Sequence, residues 1–100
     1  MVSERITLNS VVVLSKDQVS CDLAGEAAIL NLKAGKYYGL DEVGARAWSL
    51  LRVPRPIHEI KKTLLDEYEV KPEQCERDLL ALFLKLENEG LVEIKSESTA

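Results

Sequence analysis

Apolar and polar positions alternate in short blocks over the first 40 residues and then change to helical spacing. Val11, Val12, Val13 and Leu14 form a β-branched run, and the polar break Ser15-Lys16-Asp17-Gln18 separates it from Val19 to Leu23. Such runs, bounded by polar residues, predict one bent strand or two short ones. After Ala24-Gly25 comes Ala27-Ala28-Ile29-Leu30-Asn31-Leu32, then Lys33-Ala34-Gly35-Lys36, then Tyr37-Tyr38-Gly39-Leu40. An apolar run, a short glycine-containing loop and an aromatic run predict a β-hairpin. With the valine-rich segment before it, the hairpin makes a small antiparallel sheet of about three strands.

From residue 41 the period lengthens. Asp41 is placed to cap a helix that begins at Glu42, because its carboxylate can accept otherwise unpaired backbone N–H groups. Val43, Ala47, Leu50 and Leu51 follow at helical spacing, and Val53-Pro54-Arg55-Pro56 stops them. Pro56 then suits the start of a second helix, with Ile57, Ile60, Leu64 and Tyr68 at intervals of three and four. Glu69-Val70-Lys71 is a turn, and Pro72 opens a third helix whose expected core stripe is Cys75, Leu79, Leu82 and Leu86. Gly90 supplies the left-handed residue that ends a helix, with Leu91 returning onto Leu86 in a Schellman motif. Leu91 to Ile94 adds a terminal strand.

The predicted class is therefore α+β: a winged helix-turn-helix with an N-terminal antiparallel sheet followed by three helices. Residues 1–10 are expected to be a frayed start, 11–95 one domain and 96–100 a polar tail. A chain of 100 residues with 46% hydrophobic side chains has material for one core. No apolar run approaches the roughly 18 to 20 residues that span a bilayer, and Glu4 and Asn9 interrupt the only candidate signal region. The expectation is a cytoplasmic protein without membrane contact.

Chemistry is sparse. Cys21 and Cys75 belong to no CxxC or Cys/His cluster and read as reduced thiols in or near the core. The one histidine, His58, has no partner at ligand spacing and reads as a solvated helix residue. The five glycines form neither a GxGxxG nor a P-loop pattern, and carboxylate pairs such as Asp66-Glu67 read as the wet face of a helix. No catalytic residue, cofactor site or metal site is expected.

Two binding readings compete. A winged helix that regulates transcription would present the third helix to DNA. From Pro72 to Gly90 that helix carries Glu73, Glu76, Asp78, Glu87 and Glu89 against Arg77 and Lys85, a net charge of -3, on a chain whose own net charge is -4. Affinity for a duplex grows with the number of phosphates neutralised, so this helix supplies mostly repulsion and no nucleic-acid partner is expected. The other reading starts from Lys36 to Leu40. Edge strands normally carry charge, proline or a bulge that blocks pairing, whereas this one has a single terminal lysine. An extended peptide can pair with such a strand through main-chain bonds. Alternation puts Tyr38 and Leu40 on the helix side and Tyr37 and Gly39 on the other, and Gly39 lets another backbone come close. On the third helix, Leu80, Phe83 and Leu84 extend apolar surface past the expected stripe. Packing against the chain's own strands and a ligand groove both explain that surplus.

The run Tyr37-Tyr38-Gly39-Leu40-Asp41, the segment Gly44 to Trp48, Ile57-His58-Glu59-Ile60, Glu76-Arg77-Asp78-Leu79 and Glu89-Gly90-Leu91-Val92 together resemble the PqqD family. That family comprises pyrroloquinoline quinone biosynthesis protein D and the precursor-peptide recognition elements of ribosomally made, modified peptides. The likeness spans roughly Val11 to Ile94 and is greatest to the free-standing lasso-peptide subgroup, whose recognition protein works with a separate leader-cleaving cysteine protease. It implies binding of a precursor's leader segment as an added strand, and delivery to that protease or another modifying enzyme. Carried over, the pairing strand is Lys36, Tyr37, Tyr38, Gly39, Leu40 and Asp41, and the facing wall is Asp78, Leu79, Leu82, Phe83 and Lys85. The chain departs from many relatives in having Pro56 in place of a threonine cap and in its longer polar start.

Overall fold

The computed structural model describes residues 6–95. In chain order the elements are β1 (Val11–Leu14), β2 (Gln18–Leu23), β3 (Glu26–Asn31), β4 (Lys36–Leu40), α1 (Glu42–Ser49) with a 3₁₀ turn at Leu50–Arg52, β5 (Arg55–Pro56), α2 (Ile57–Glu67), α3 (Pro72–Asn88) and β6 (Val92–Lys95). They form two three-stranded antiparallel sheets, in the orders β2-β3-β4 and β5-β1-β6. One core joins them, with Val12, Ile29, Leu51, Ile57, Ile60, Leu64, Phe83 and Leu91 fully buried.

The valine-rich run thus differs from expectation. It is not part of the hairpin sheet but pairs with the C-terminal strand, Val12 opposite Ile94 and Leu14 opposite Val92. The polar break at Ser15 to Asp17 lets the chain leave one sheet and enter the other. This pairing also occupies the end of the described chain with β1, far in the topology from β4.

Residues 1–5 and 96–100, where a loose start and tail are expected, lie outside the described residues, but in 6–10 Ile6 and Ser10 are buried and Leu8 is half-buried, with Thr7 and Asn9 exposed. Ile6 is buried, and the carbonyls of Leu8 and Ser10 accept the N–H groups of His58 and Ile57, each at 2.9 Å. These are first-turn donors of α2, a helix with no side-chain cap because Pro56 occupies the capping position. The segment before β1 therefore does the work of the absent threonine.

The other helix ends follow local chemistry. The Asp41 carboxylate accepts the Gly44 N–H at 2.8 Å. At the far end of α3, Gly90 has φ +77°, the Leu91 N–H bonds the Leu86 carbonyl at 2.9 Å and the Gly90 N–H bonds that of Glu87 at 3.0 Å, a complete Schellman motif. Between α2 and α3, residues 68–71 make a tight four-residue connection. Arg46 of α1 donates twice to Glu67 at the end of α2, both at 2.8 Å, and Lys61 of α2 reaches Glu76 of α3 at 3.2 Å.

The β2–β3 turn carries strain. Ala24 and Gly25 both have positive φ, 51° and 94°, as a two-residue type I′ turn requires. Left-handed backbone costs an alanine about 1 kcal/mol, and Asn-Gly is the pair this turn prefers. Ala24→Asn is expected to raise stability by about 0.5–1 kcal/mol and the melting temperature by a few degrees in a thermal melt. An unchanged or lower midpoint would show that the turn is relaxed with alanine.

Candidate functional site

Among the described residues β4 is an edge strand, bonded to β3 on one side alone. Which of its backbone groups face the open side follows from parity. The Leu32 N–H bonds the Asp17 carbonyl at 2.9 Å, and Leu23 pairs with Glu26 across a two-residue turn. In an antiparallel ladder alternate residues send their N–H and C=O to opposite edges. The even-numbered residues of β3 therefore bond β2, and Ala27, Ile29 and Asn31 bond β4. Their register partners are Leu40, Tyr38 and Lys36. Tyr37 and Gly39 are left with N–H and C=O directed outward.

Beside that edge lies a groove of about 720 Å³ between β4, the start of α1 and α3. Leu40, Leu64, Val70, Cys75, Leu79 and Leu82 form its apolar floor, and Asp41, Gln74, Asp78 and Lys85 stand around it. Gly44 lets α1 begin this close to β4: a Cβ there would meet the Asp41 carboxylate at 3.2 Å and Leu40 Cβ at 3.5 Å. At Gly39 a Cβ would meet nothing within 4 Å.

The expected site residues divide accordingly. Gly39, Leu40, Asp41, Asp78, Leu79, Leu82 and Lys85 line the groove. Lys36 and Tyr37 lie on β4 outside it, and Tyr37 is 73% exposed on the opposite face of the sheet. Tyr38 packs on the core and donates its hydroxyl to the Glu89 carboxylate, a bond that, with burial and the nearby negative charge, holds its pKa above the usual tyrosine value. Phe83 is fully buried and supports the wall from behind. The core stripe of α3 is Cys75, Leu79, Phe83 and Leu86, with Leu82 half-buried at the groove, so the expected stripe is rotated. At about 100° per residue both stripes satisfy helical spacing, and the position of β4 and α2 chooses between them. The two thiols are also split: Cys75 is buried, which raises its pKa, and Cys21 is exposed rather than near the core.

One residue that the sequence reading did not single out fixes the groove. Asn31, 8% exposed at the end of β3, donates from Nδ2 to the Glu89 carbonyl at 2.6 Å and accepts at Oδ1 from the Lys33 and Ala34 N–H groups at 2.9 and 3.0 Å. It ties the β3–β4 turn to the C-terminus of α3, and the Tyr38–Glu89 bond repeats the tie one strand over. Val70 and Gln74 were likewise not anticipated: a turn residue and a polar helix residue announce no groove until α2 and α3 are placed.

Among the described residues no helix is long and apolar enough to cross a membrane, and no three His, Cys, Asp or Glu side chains are gathered as a metal would need.

Two small antiparallel sheets, three helices and an unpaired strand edge over an apolar groove define a small α+β domain built around an open β-edge. The chain belongs to the PqqD family: the model of coenzyme PQQ synthesis protein D matches residues 26–92. Among solved structures it is similar to TbiB1 in complex with the TbiA(beta) leader peptide, with 40% identity, a TM-score of 0.75, and coverage of 81% of this chain and 94% of that one. It also shares its fold with lasso peptide synthetase B1 complexed with the leader peptide, at 22% identity and a TM-score of 0.68, covering 82% of this chain and 96% of that one. No curated protein sequence matches it.

Proposed function

We propose that this chain is a non-catalytic, cytoplasmic carrier that binds the leader segment of a ribosomally made precursor peptide and delivers it to a processing enzyme in lasso-peptide-type biosynthesis. The observation that carries the reading is the outward N–H and C=O of Tyr37 and Gly39 beside an apolar groove. A guest strand pairing there gains main-chain bonds that are independent of its sequence, while its alternate side chains enter the groove and are selected. The relative at 40% identity is described in complex with a leader peptide, which supports the same occupant here.

In this reading Leu40, Leu79 and Leu82 receive the apolar side chains of the guest. Asp41 and Asp78 line the groove and Lys85 lies two turns beyond Asp78 on α3, so a guest with opposite charges at matching positions gains rim contacts. Those contacts are solvated and each contributes under about 1 kcal/mol. The apolar burial therefore sets affinity.

The test is titration of a fluorescein-labelled leader peptide by anisotropy. Wild type is expected to saturate, and Leu82→Glu to bind about tenfold or more weakly, because a carboxylate would be desolvated by the guest. Leu82 is half-buried at the groove, so the variant is checked for wild-type circular dichroism. A folded Leu82→Glu that binds like wild type removes the groove from the proposal.

A further inference from the structure

The sheet β2-β3-β4 has a second border. Among the described residues β2 is bonded to β3 alone, and the ladder fixes which of its backbone groups are used. Val19, Cys21 and Leu23 pair with Leu30, Ala28 and Glu26, the residues of β3 that bond β2. Gln18, Ser20 and Asp22 therefore direct their N–H and C=O outward. A strand at a border is normally blunted by lysine, proline or a bulge. Gln18–Leu23 has none of these and a single charge, Asp22. Ser20, Cys21 and Asp22 are exposed, and so is Val19.

β2 also inverts the usual distribution of polarity. A sheet covered on one face alternates apolar inward and polar outward. Here Gln18, Ser20 and Asp22 share the helix side with Asn31, Ile29 and Ala27, whereas Val19 and Cys21 share the outer side with Leu30 and Ala28. On the helix side α1 packs on β3 and β4, and beside β2 lies a cavity of about 230 Å³ whose lining includes Ser20, Asp22, Ser49 and Arg52. A strand that adds to β2 must then be polar toward the helices and apolar away from them. The groove beside β4 selects the opposite pattern, so a peptide that suits β4 is a poor match for β2. β2 itself carries the required pattern.

We infer that β2 pairs with β2 of a second copy of this chain, antiparallel about a two-fold axis at Ser20. Only outward-directed residues exchange bonds across the border, so the register is limited to pairs among Gln18, Ser20 and Asp22. Centring on Ser20 sets Ser20 against Ser20 and Gln18 against Asp22, which uses every outward group of the three. Sliding one copy by two residues in either direction loses one of these pairs. At the Ser20 centre the one charge of each strand faces an amide, and Val19 faces Cys21, which joins the two apolar outer faces. The two α1 helices, seated over β3 and β4, stand at least three strand spacings apart, roughly 14 Å, against about 8–10 Å for packed helices, so the helix layers do not collide. Paired edges about 20 Å long bury roughly 200–400 Å² on each copy, less than the about 800 Å² of a stable pair, and the association is accordingly weak, on the order of 0.1 mM. Both β4 edges lie at the outer borders of the resulting six-stranded sheet, about 24 Å apart, and stay open.

The experiment uses the full chain. In sedimentation velocity from about 10 µM to about 1 mM, wild type is expected to pass from monomer to dimer around 0.1 mM. Ser20→Pro removes an outward N–H that β3 does not use, and Ser20→Glu sets two carboxylates against each other. Both variants, checked as folded by circular dichroism, are expected to associate about tenfold or more weakly. Their leader affinity is expected to stay within about twofold, because β2 lies two strands from the guest edge. Val19→Cys reads the register, since facing residues in non-hydrogen-bonded positions stand about 4.5 Å apart at Cα, close enough for a disulfide. Diamide accepts the two electrons and two protons of each thiol pair, and at about 0.1 mM protein it is expected to link the introduced thiol to Cys21 of the second copy. Wild type is expected to stay uncrosslinked, because its Cys21 faces Val19 and its Cys75 is buried. A wild type that remains monomeric at about 1 mM overturns the inference. So does a dimer retained by both folded Ser20 variants, or a Val19→Cys chain that crosslinks no better than wild type. A wild type that binds no leader peptide is a separate failure, of the carrier reading, and leaves this pairing untouched.

Discussion

A chain carrying Gly39→Pro is expected to fold and to lose affinity for its leader peptide by about a hundredfold or more, equivalent to about 2.7 kcal/mol. The Gly39 N–H points to the open edge of β4, since its neighbours Tyr38 and Leu40 make the bonds to β3. Proline removes that donor, leaves a guest carbonyl desolvated without a partner at a cost of about 1–3 kcal/mol, and puts ring atoms where the guest backbone must lie. The internal ladder keeps its bonds. Proline is tolerated on an edge strand whose N–H faces solvent, and the residue before it, Tyr38, is already extended. A stability loss near 1 kcal/mol, about 4–8 °C in melting temperature, is the expected side effect. Gly39→Ala is the control: it keeps the N–H, and its Cβ meets no atom within 4 Å. Wild-type affinity in a folded Gly39→Pro chain would mean that the guest does not add to this edge.

The largest expected loss of stability belongs to Asn31→Ala. Asn31 makes three hydrogen bonds from a position only 8% exposed, two into the β3–β4 turn and one to the Glu89 carbonyl at the end of α3. Alanine leaves two N–H groups and a helix-terminal carbonyl short of partners, which costs about 2–4 kcal/mol in all. In a chain of 100 residues the melting temperature is expected to fall by about 10–25 °C. Asn31→Asp separates the two roles. It keeps the acceptor for the turn but replaces the donor by a carboxylate facing the Glu89 carbonyl, which raises the folded-state pKa of that carboxyl. The stability of this variant is then expected to be greater at low pH and to fall as pH rises through the raised value. Leader affinity should drop in both variants, because this tie sets the spacing of β4 and α3. An Asn31→Ala chain that melts within 2 °C of wild type, about 0.5 kcal/mol at most, would show the tie to be inconsequential.

These two residues also divide what a linear reading could and could not find. Gly39 stood out locally, as a glycine in an aromatic strand with no edge-blocking residue. The partner of Asn31 is 58 positions away, and nothing near Asn31 in the sequence points to Glu89. The wall of α3 shows the same division within one helix. Spacing alone allowed Leu82 or Phe83 to complete the buried stripe, and packing gave the core to Phe83 and the groove to Leu82.

Helix boundaries at Asp41, Pro72 and Gly90, the β3–β4 hairpin and the exposed strand all rest on contacts within a few residues. Hydrogen-bond parity, turn chemistry and capping act over that range, so the amino-acid order alone determined them. Assigning Val11–Leu14 to the second sheet with β6, seating residues 6–10 as the cap of α2, and turning α3 so that its groove face meets β4 were decisions of the tertiary structure. Each depends on which distant surfaces exclude water together, and a one-dimensional pattern of apolar residues states how much surface must be covered without stating by what.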